Sequence, residues 1–141
     1  MSYVRIWVHL VFTTKNREPI LTKELRDALI SHIRSNAQAK DIFVDSIGGW
    51  SEHLHLLISL GREQHIADVA MLLKGESAHW FNRQKFVRGK FHWQDDYFAL
   101  SVSESLVESV RSYISNQEEH HRAKPFDQEF ESLMKIARGK L

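Results

Sequence analysis

The stretch from Asp41 to Gly61, "DIFVDSIGGWSEHLHLLISLG", decides how the rest of the chain is read. Its first part, ending at Gly48 and Gly49, and its second part, from His53 onward, both read as strands. The short connection between them predicts an antiparallel hairpin. Side chains alternate along a strand, so His53, His55 and Leu57 share one face while Leu54, Leu56 and Ile58 share the other. Two imidazoles therefore point the same way, opposite an apolar face fit for a core. A His-x-His pair on a strand suits the clasp of one divalent ion. The spacing alone is weak evidence, because a chain with 9 histidines among 141 residues has about 0.6 such pairs by chance.

Working outward, "YVRIWVHLVFT" at residues 3–13 reads as a first strand. Thr22 caps a helix running to about Lys40, with Leu25, Ala28, Leu29, Ile33 and Ala37 on one face. A second helix spans about Gln64 to Phe81, with Ile66, Val69, Ala70 and Leu73 inward and Gly75 as a place to bend or divide. "DYFALSV" at residues 96–102 reads as the fourth strand. Ser101 or Ser103 then caps a helix from near Glu104, whose apolar positions are Leu106, Val107, Val110 and Ile114. Pro125 opens a last short helix with Phe126, Phe130 and Leu133 or Met134 facing inward. This order predicts a ferredoxin-like, split βαβ α+β domain over residues 1–141: an antiparallel sheet with helices on one face and a C-terminal helical extension.

Composition limits the function classes. Hydrophobic residues make up 43% and charged ones 26%, as in an ordinary globular protein. With no cysteine, any metal must sit on histidine, carboxylate or amide oxygen, and a reducing cytoplasm is the expected compartment. Arg5 and His9 interrupt the first apolar run, which fits neither a signal peptide nor a membrane span. The formal charge of +1 does not announce a nucleic-acid binder, but its distribution is uneven. From Ser77 to Gln94 there is no acidic residue, while Arg83, Lys85, Arg88 and Lys90 alternate with Trp80, Phe81, Phe86, Phe91 and Trp93. Such a segment can neutralise phosphates and stack on unpaired bases; it equally describes a solvated basic connection over core aromatics. Acids collect later, at Glu118, Glu119, Asp127, Glu129 and Glu131.

A second constellation lies in "VRSYISNQEEHH", where Tyr113 and Gln117 are four apart and so neighbours on a helix face, with His120 three further on. His120 and His121 either assist a site or serve as basic residues at a helix C-terminus. His9 and Trp7 share one face of the first strand and read as sheet-surface or core residues.

Together these stretches resemble the small single-tyrosine HUH transposases of bacterial insertion sequences, REP-associated relatives included. "EHLHLL" is similar to the HUH motif and "SYISNQEEHH" to the tyrosine helix. "WVHLVFTTKNREPIL", "WQDDYFALSVSES" and "KPFDQEFESL" match at corresponding places, although Asp95, Asp96 and Phe98 stand where some relatives carry glycine or a small residue. The resemblance implies Tyr113 as nucleophile, with His53, His55 and Gln117 holding Mg²⁺ or Mn²⁺. It implies cleavage and rejoining of single-stranded DNA at imperfect hairpins through a 5′-phosphotyrosine, by a homodimer with composite active sites. Arg83, Lys85, Arg88, Lys90 and Trp93 become candidate DNA contacts, with His120 and His121 as accessory residues. The alternatives are a domesticated relative acting on genomic palindromes, a ferredoxin-like module that binds nucleic acid without cutting it, and a histidine-rich Zn²⁺ hydrolase.

Overall fold

The structure is a computed structural model, and it describes residues 2–123, 125, 126, 128, 129, 131 and 132. Along the chain run β1 (Ile6–Thr13), α1 (Lys23–Ala39), β2 (Phe43–Trp50), β3 (His53–Leu60), α2 (Ile66–Gln84), β4 (Phe98–Val102), α3 (Val107–Ser115) and α4 (Gln117–Ala123). Short 3-10 turns precede α1 at Lys15–Arg17 and α3 at Glu104–Leu106. The sheet order is β2-β3-β1-β4, with every pairing antiparallel, which is the ferredoxin-like arrangement expected from the element order.

The two faces of the sheet carry different loads. Leu10, Phe12, Leu54, Leu56 and Ile58 point into the main core, where α1 supplies Leu29, Ile33 and Ala37 and α2 supplies Val69, Ala70, Leu73 and Phe81. Thr22 caps α1, its Oγ1 accepting from the Leu25 N–H at 3.4 Å. α2 runs unbroken through Gly75, contrary to the expectation of a bend. Its buried stripe on both sides of the glycine holds the backbone helical, so Gly75 costs stability without interrupting the element. On the opposite face Trp7 and Leu57 pack with Val107 and Ile114 of α3, a smaller second core.

The basic and aromatic segment divides cleanly by side-chain type. Phe81 and Phe91 are fully buried, and Trp93 packs between Phe12 and Phe91 with its Nε1–H donated to Ser77 Oγ at 2.9 Å. Trp93 therefore has no free face for a base, and the expectation that it contacts DNA is corrected. Residues 92–94 add a short ladder beside β1, with Thr14 bridged to Trp93 and Gln94 N–H donated to Thr13 O. Lys74 Nζ holds the next turn by donating to the carbonyls of Gln94 and Asp95 at 2.6 and 2.7 Å. Arg83, Lys85, Arg88 and Lys90 are exposed.

Two features of β2 bring α3 onto the sheet. A bulge between Val44 and Ser46 turns Asp45 toward α3, where its carboxylate receives Arg111 Nε and Nη2 at 2.8 and 2.9 Å. Further along, a Cβ on Gly48 would stand 2.0 Å from the carbonyl oxygen of Ile114. Only glycine permits so close an approach of helix backbone to strand backbone.

Candidate active site

β3 presents His53 and His55 on the face covered by α3, as alternation requires, and both are fully buried. Register places Gly48 opposite His55, so the glycine that admits α3 lies beside the imidazole that α3 must reach. Tyr113, next to Ile114, consequently sits over the pair, its ring centroid 5.5 Å from that of His55. The tyrosine helix is divided: α3 ends at Ser115, Asn116 forms a turn, and α4 begins at Gln117. Tyr113 and Gln117 thus stand on successive helices, not on one, yet both aim into the same place. Asparagine readily leaves helical geometry because its amide competes for backbone hydrogen bonds, which suits it to this junction.

Gln117 is buried, and its Oε1 lies 3.0 Å from His53 Nε2. Beside it comes Glu129, a residue the motif spacing did not single out. Its Oε1 is 2.7 Å from His55 Nε2 and 3.4 Å from His53 Nε2. Its Oε2 accepts the hydrogen bond of the Tyr113 hydroxyl and lies 3.0 Å from His120 Nε2 and 3.3 Å from His121 Nε2. His121 also meets Gln117 Oε1 at 3.0 Å. The accessory pair therefore faces the site instead of merely terminating a helix. Phe126 stacks on His53 with ring centroids 4.0 Å apart and closes one side. Phe130, Leu133 and Met134, expected beside it, lie outside the described residues.

The far nitrogens of the two strand histidines are held as well. His53 Nδ1 meets Glu52 Oε1 at 2.8 Å, and His55 Nδ1 shares a hydrogen bond of 2.7 Å with His9 Nε2. Both rings are thereby turned with Nε2 toward Gln117 and Glu129, the arrangement in which metal-binding imidazoles are usually steadied. Sequence reasoning treated His9 as sheet or core and passed over Glu52. Register supplied a signal for His9, since β1 and β3 are neighbours and both histidines point to one face.

Burial dominates the electrostatics. It lowers His9 to about 4 and His55 to about 3, the nearby Glu129 carboxylate opposing only in part. It pushes the Tyr113 phenol well above its ordinary value, and the bond to Glu129 adds to the effect. Burial alone would raise Glu129, but hydrogen bonds from His121 and His55 outweigh it and hold the carboxyl far below the usual range. Glu52 is likewise lowered, the His53 contact overcoming its burial.

The polar atoms gathered here suit a cation. His53 lies between two oxygen acceptors, Glu52 and Gln117, and Glu129 adds two more acceptor oxygens at the centre. The Nε2 atoms of His53 and His55 and the oxygens of Gln117 and Glu129 thus converge on one small space. His121 Nδ1 is also buried without a hydrogen-bond partner among the described residues. Such a pocket of converging nitrogen and oxygen lone pairs fits a divalent ion. An open cleft of about 390 Å³ leads to it, lined by Arg17, Trp50, Glu52, His121, Pro125 and Phe126. Among the described residues no helix is long and apolar enough to cross a membrane.

Residues 2–117 match the family described as Transposase IS200 like. The chain is 31% identical over 118 residues to the ISDra2 transposase TnpA of Deinococcus radiodurans, covering 77% of this chain and 81% of that one. A crystal structure of a Deinococcus radiodurans protein described as a transposase superposes with a TM-score of 0.65 at 28% identity, over 83% of this chain and 95% of the other. The fold is shared too with a REP-associated tyrosine transposase solved bound to a REP hairpin, at a TM-score of 0.57 and 13% identity, over 81% and 66% of the two chains.

Proposed function

The chain belongs to the IS200-like transposase family, and from that premise we propose that it cleaves and rejoins single-stranded DNA at hairpin ends, with Tyr113 as nucleophile. One observation carries the reading: within a single chain, the Tyr113 hydroxyl and the Nε2 atoms of His53 and His55 meet at one buried point, the Glu129 carboxylate.

His53, His55 and Gln117 would hold Mg²⁺ or Mn²⁺, with Glu52 and His9 fixing the rings. A bound divalent ion supplies positive charge that polarises the scissile phosphate and offsets the charge growing on it. The protein's own work is positioning. Tyr113 Oη, on losing its proton, bonds to phosphorus while the bond from phosphorus to the 3′ oxygen breaks; that oxygen takes up a proton and leaves as a hydroxyl. The 5′-phosphotyrosine keeps the phosphodiester for a second 3′-hydroxyl, so strands are rejoined without ATP. The exposed Arg83, Lys85, Arg88 and Lys90 are proposed to contact hairpin phosphates, and the open cleft beside His121 to admit the single strand. A homodimer, implied by the resemblance, belongs to the same proposal; of the two ways to complete its sites, the contacts of Tyr113 with Glu129 and of Glu129 with His53 and His55 favour a site closed within each chain over the composite one.

Incubation of the full chain with end-labelled hairpin DNA and Mn²⁺ tests the reading. A covalent adduct resistant to denaturant is expected from the wild type and none from Tyr113→Phe, His53→Ala or His55→Ala. An adduct that persists in Tyr113→Phe overturns the assigned nucleophile. Free cleaved product with no adduct points to hydrolysis.

A further inference from the structure

We propose that Glu129 is a fourth protein ligand of the metal ion, completing a set of two imidazoles, one amide oxygen and one carboxylate oxygen. The inference rests on the metal-dependent reading above and extends it to a residue outside the family match, which ends at Gln117.

The distances are those of donors around one ion. Bonds of about 2.1 Å at right angles separate neighbouring donor atoms by about 3.0 Å. Glu129 Oε1 lies 2.7 Å from His55 Nε2 and 3.4 Å from His53 Nε2, and Gln117 Oε1 lies 3.0 Å from His53 Nε2. His53, His55 and Glu129 each offer one atom within 4.8 Å of the others, and all three are buried. A carboxylate enclosed in this way needs positive charge close by. Against it stand His53, His55, His120, His121 and Tyr113.

The second oxygen gives the arrangement its use. While Oε1 joins the ion, Oε2 keeps the Tyr113 hydroxyl, so one carboxylate sets the distance from nucleophile to metal. Glu129 would thus do more than raise affinity: it would orient the phenol relative to the ion. Adding a carboxylate to neutral ligands also shifts the donor set toward oxygen and reduces the net charge of the loaded site by one.

Mn²⁺ binding to the full chain, measured without DNA by electron paramagnetic resonance and calorimetry, tests this directly. Affinity should fall on the order of 100-fold in Glu129→Gln, comparable to the fall in His53→Ala. Glu129→Asp, which keeps the charge on a shorter arm, should fall less than Glu129→Gln and guards against a variant that fails to fold. If His53→Ala loses the ion while Glu129→Gln binds it within about twofold of wild type, or more tightly, the inference is overturned and the reading of the site survives. If His53→Ala retains full affinity, the metal site itself is wrong and both fall.

Discussion

At the scale of single residues, burial keeps His9 and His55 neutral, and this has a cost in acid. Folding holds His9 at about 4 and His55 at about 3, against 6.5 in an exposed chain. Below pH 6.5 the unfolded chain takes up protons that the folded one refuses, so stability falls as pH drops toward those values. At pH 5 the loss is about 2 kcal/mol for each histidine. The urea midpoint of metal-free protein should therefore be lower at pH 5 than at pH 7.5; an unchanged midpoint would show that these rings are not buried neutral. His53 and His55 were legible because strand alternation ties sequence to face. Glu129 was not, because a carboxylate 74 positions from its partner His55 leaves no periodic trace. Trp93 misled for the opposite reason: basic neighbours suggested DNA, but its indole fills the core.

At the scale of elements, two glycines should respond in opposite directions to alanine. At Gly75 an added Cβ meets nothing within 4 Å in the middle of α2, so Gly75→Ala should raise stability by roughly 0.5–1 kcal/mol and leave DNA cleavage unchanged. At Gly48 the same methyl collides with the backbone of Ile114, and relief requires α3 to move off the sheet with Tyr113 on it. Gly48→Ala should cost about 2–3 kcal/mol and reduce adduct formation by far more than the unfolded fraction explains. Thermal denaturation alongside a cleavage assay at a temperature where both variants are folded separates the two effects. The spacing of four set Tyr113 and Gln117 near each other, but the single helix it implied is not what brings them together. The division of that helix at Asn116, and the bulge at Asp45 that anchors α3, were not legible, since both answer to tertiary contacts and not to periodicity.

At the scale of the whole molecule, the order of strands and helices was legible, because each strand pattern and cap is local and the split βαβ order follows from few connections. The placement of α3 and α4 across the face opposite α1 and α2 was not, as apolar stripes do not say which face they will meet. That placement brings Tyr113 over the histidines of its own chain, and catalysis within one chain is expected. Mixing Tyr113→Phe with His53→Ala protein should then restore no cleavage, whereas recovery toward a quarter to half of wild-type activity would reveal exchange of tyrosines between partners. The exposed basic residues make a separate forecast for binding. Replacing two of Arg83, Lys85, Arg88 and Lys90 by alanine should reduce the slope of log affinity for hairpin DNA against log salt by about 1.5, measured by fluorescence anisotropy. An unchanged slope would place the DNA elsewhere. Finally, the contact of Gly48 with Ile114 sets the reach of the nucleophile by peptide groups, which drift in sequence does not tune. Among decaying copies of such a gene, one that kept both histidines and the tyrosine but had lost this glycine would hold its nucleophile out of reach, so the glycine belongs beside the residues that do the chemistry as a marker of a living copy.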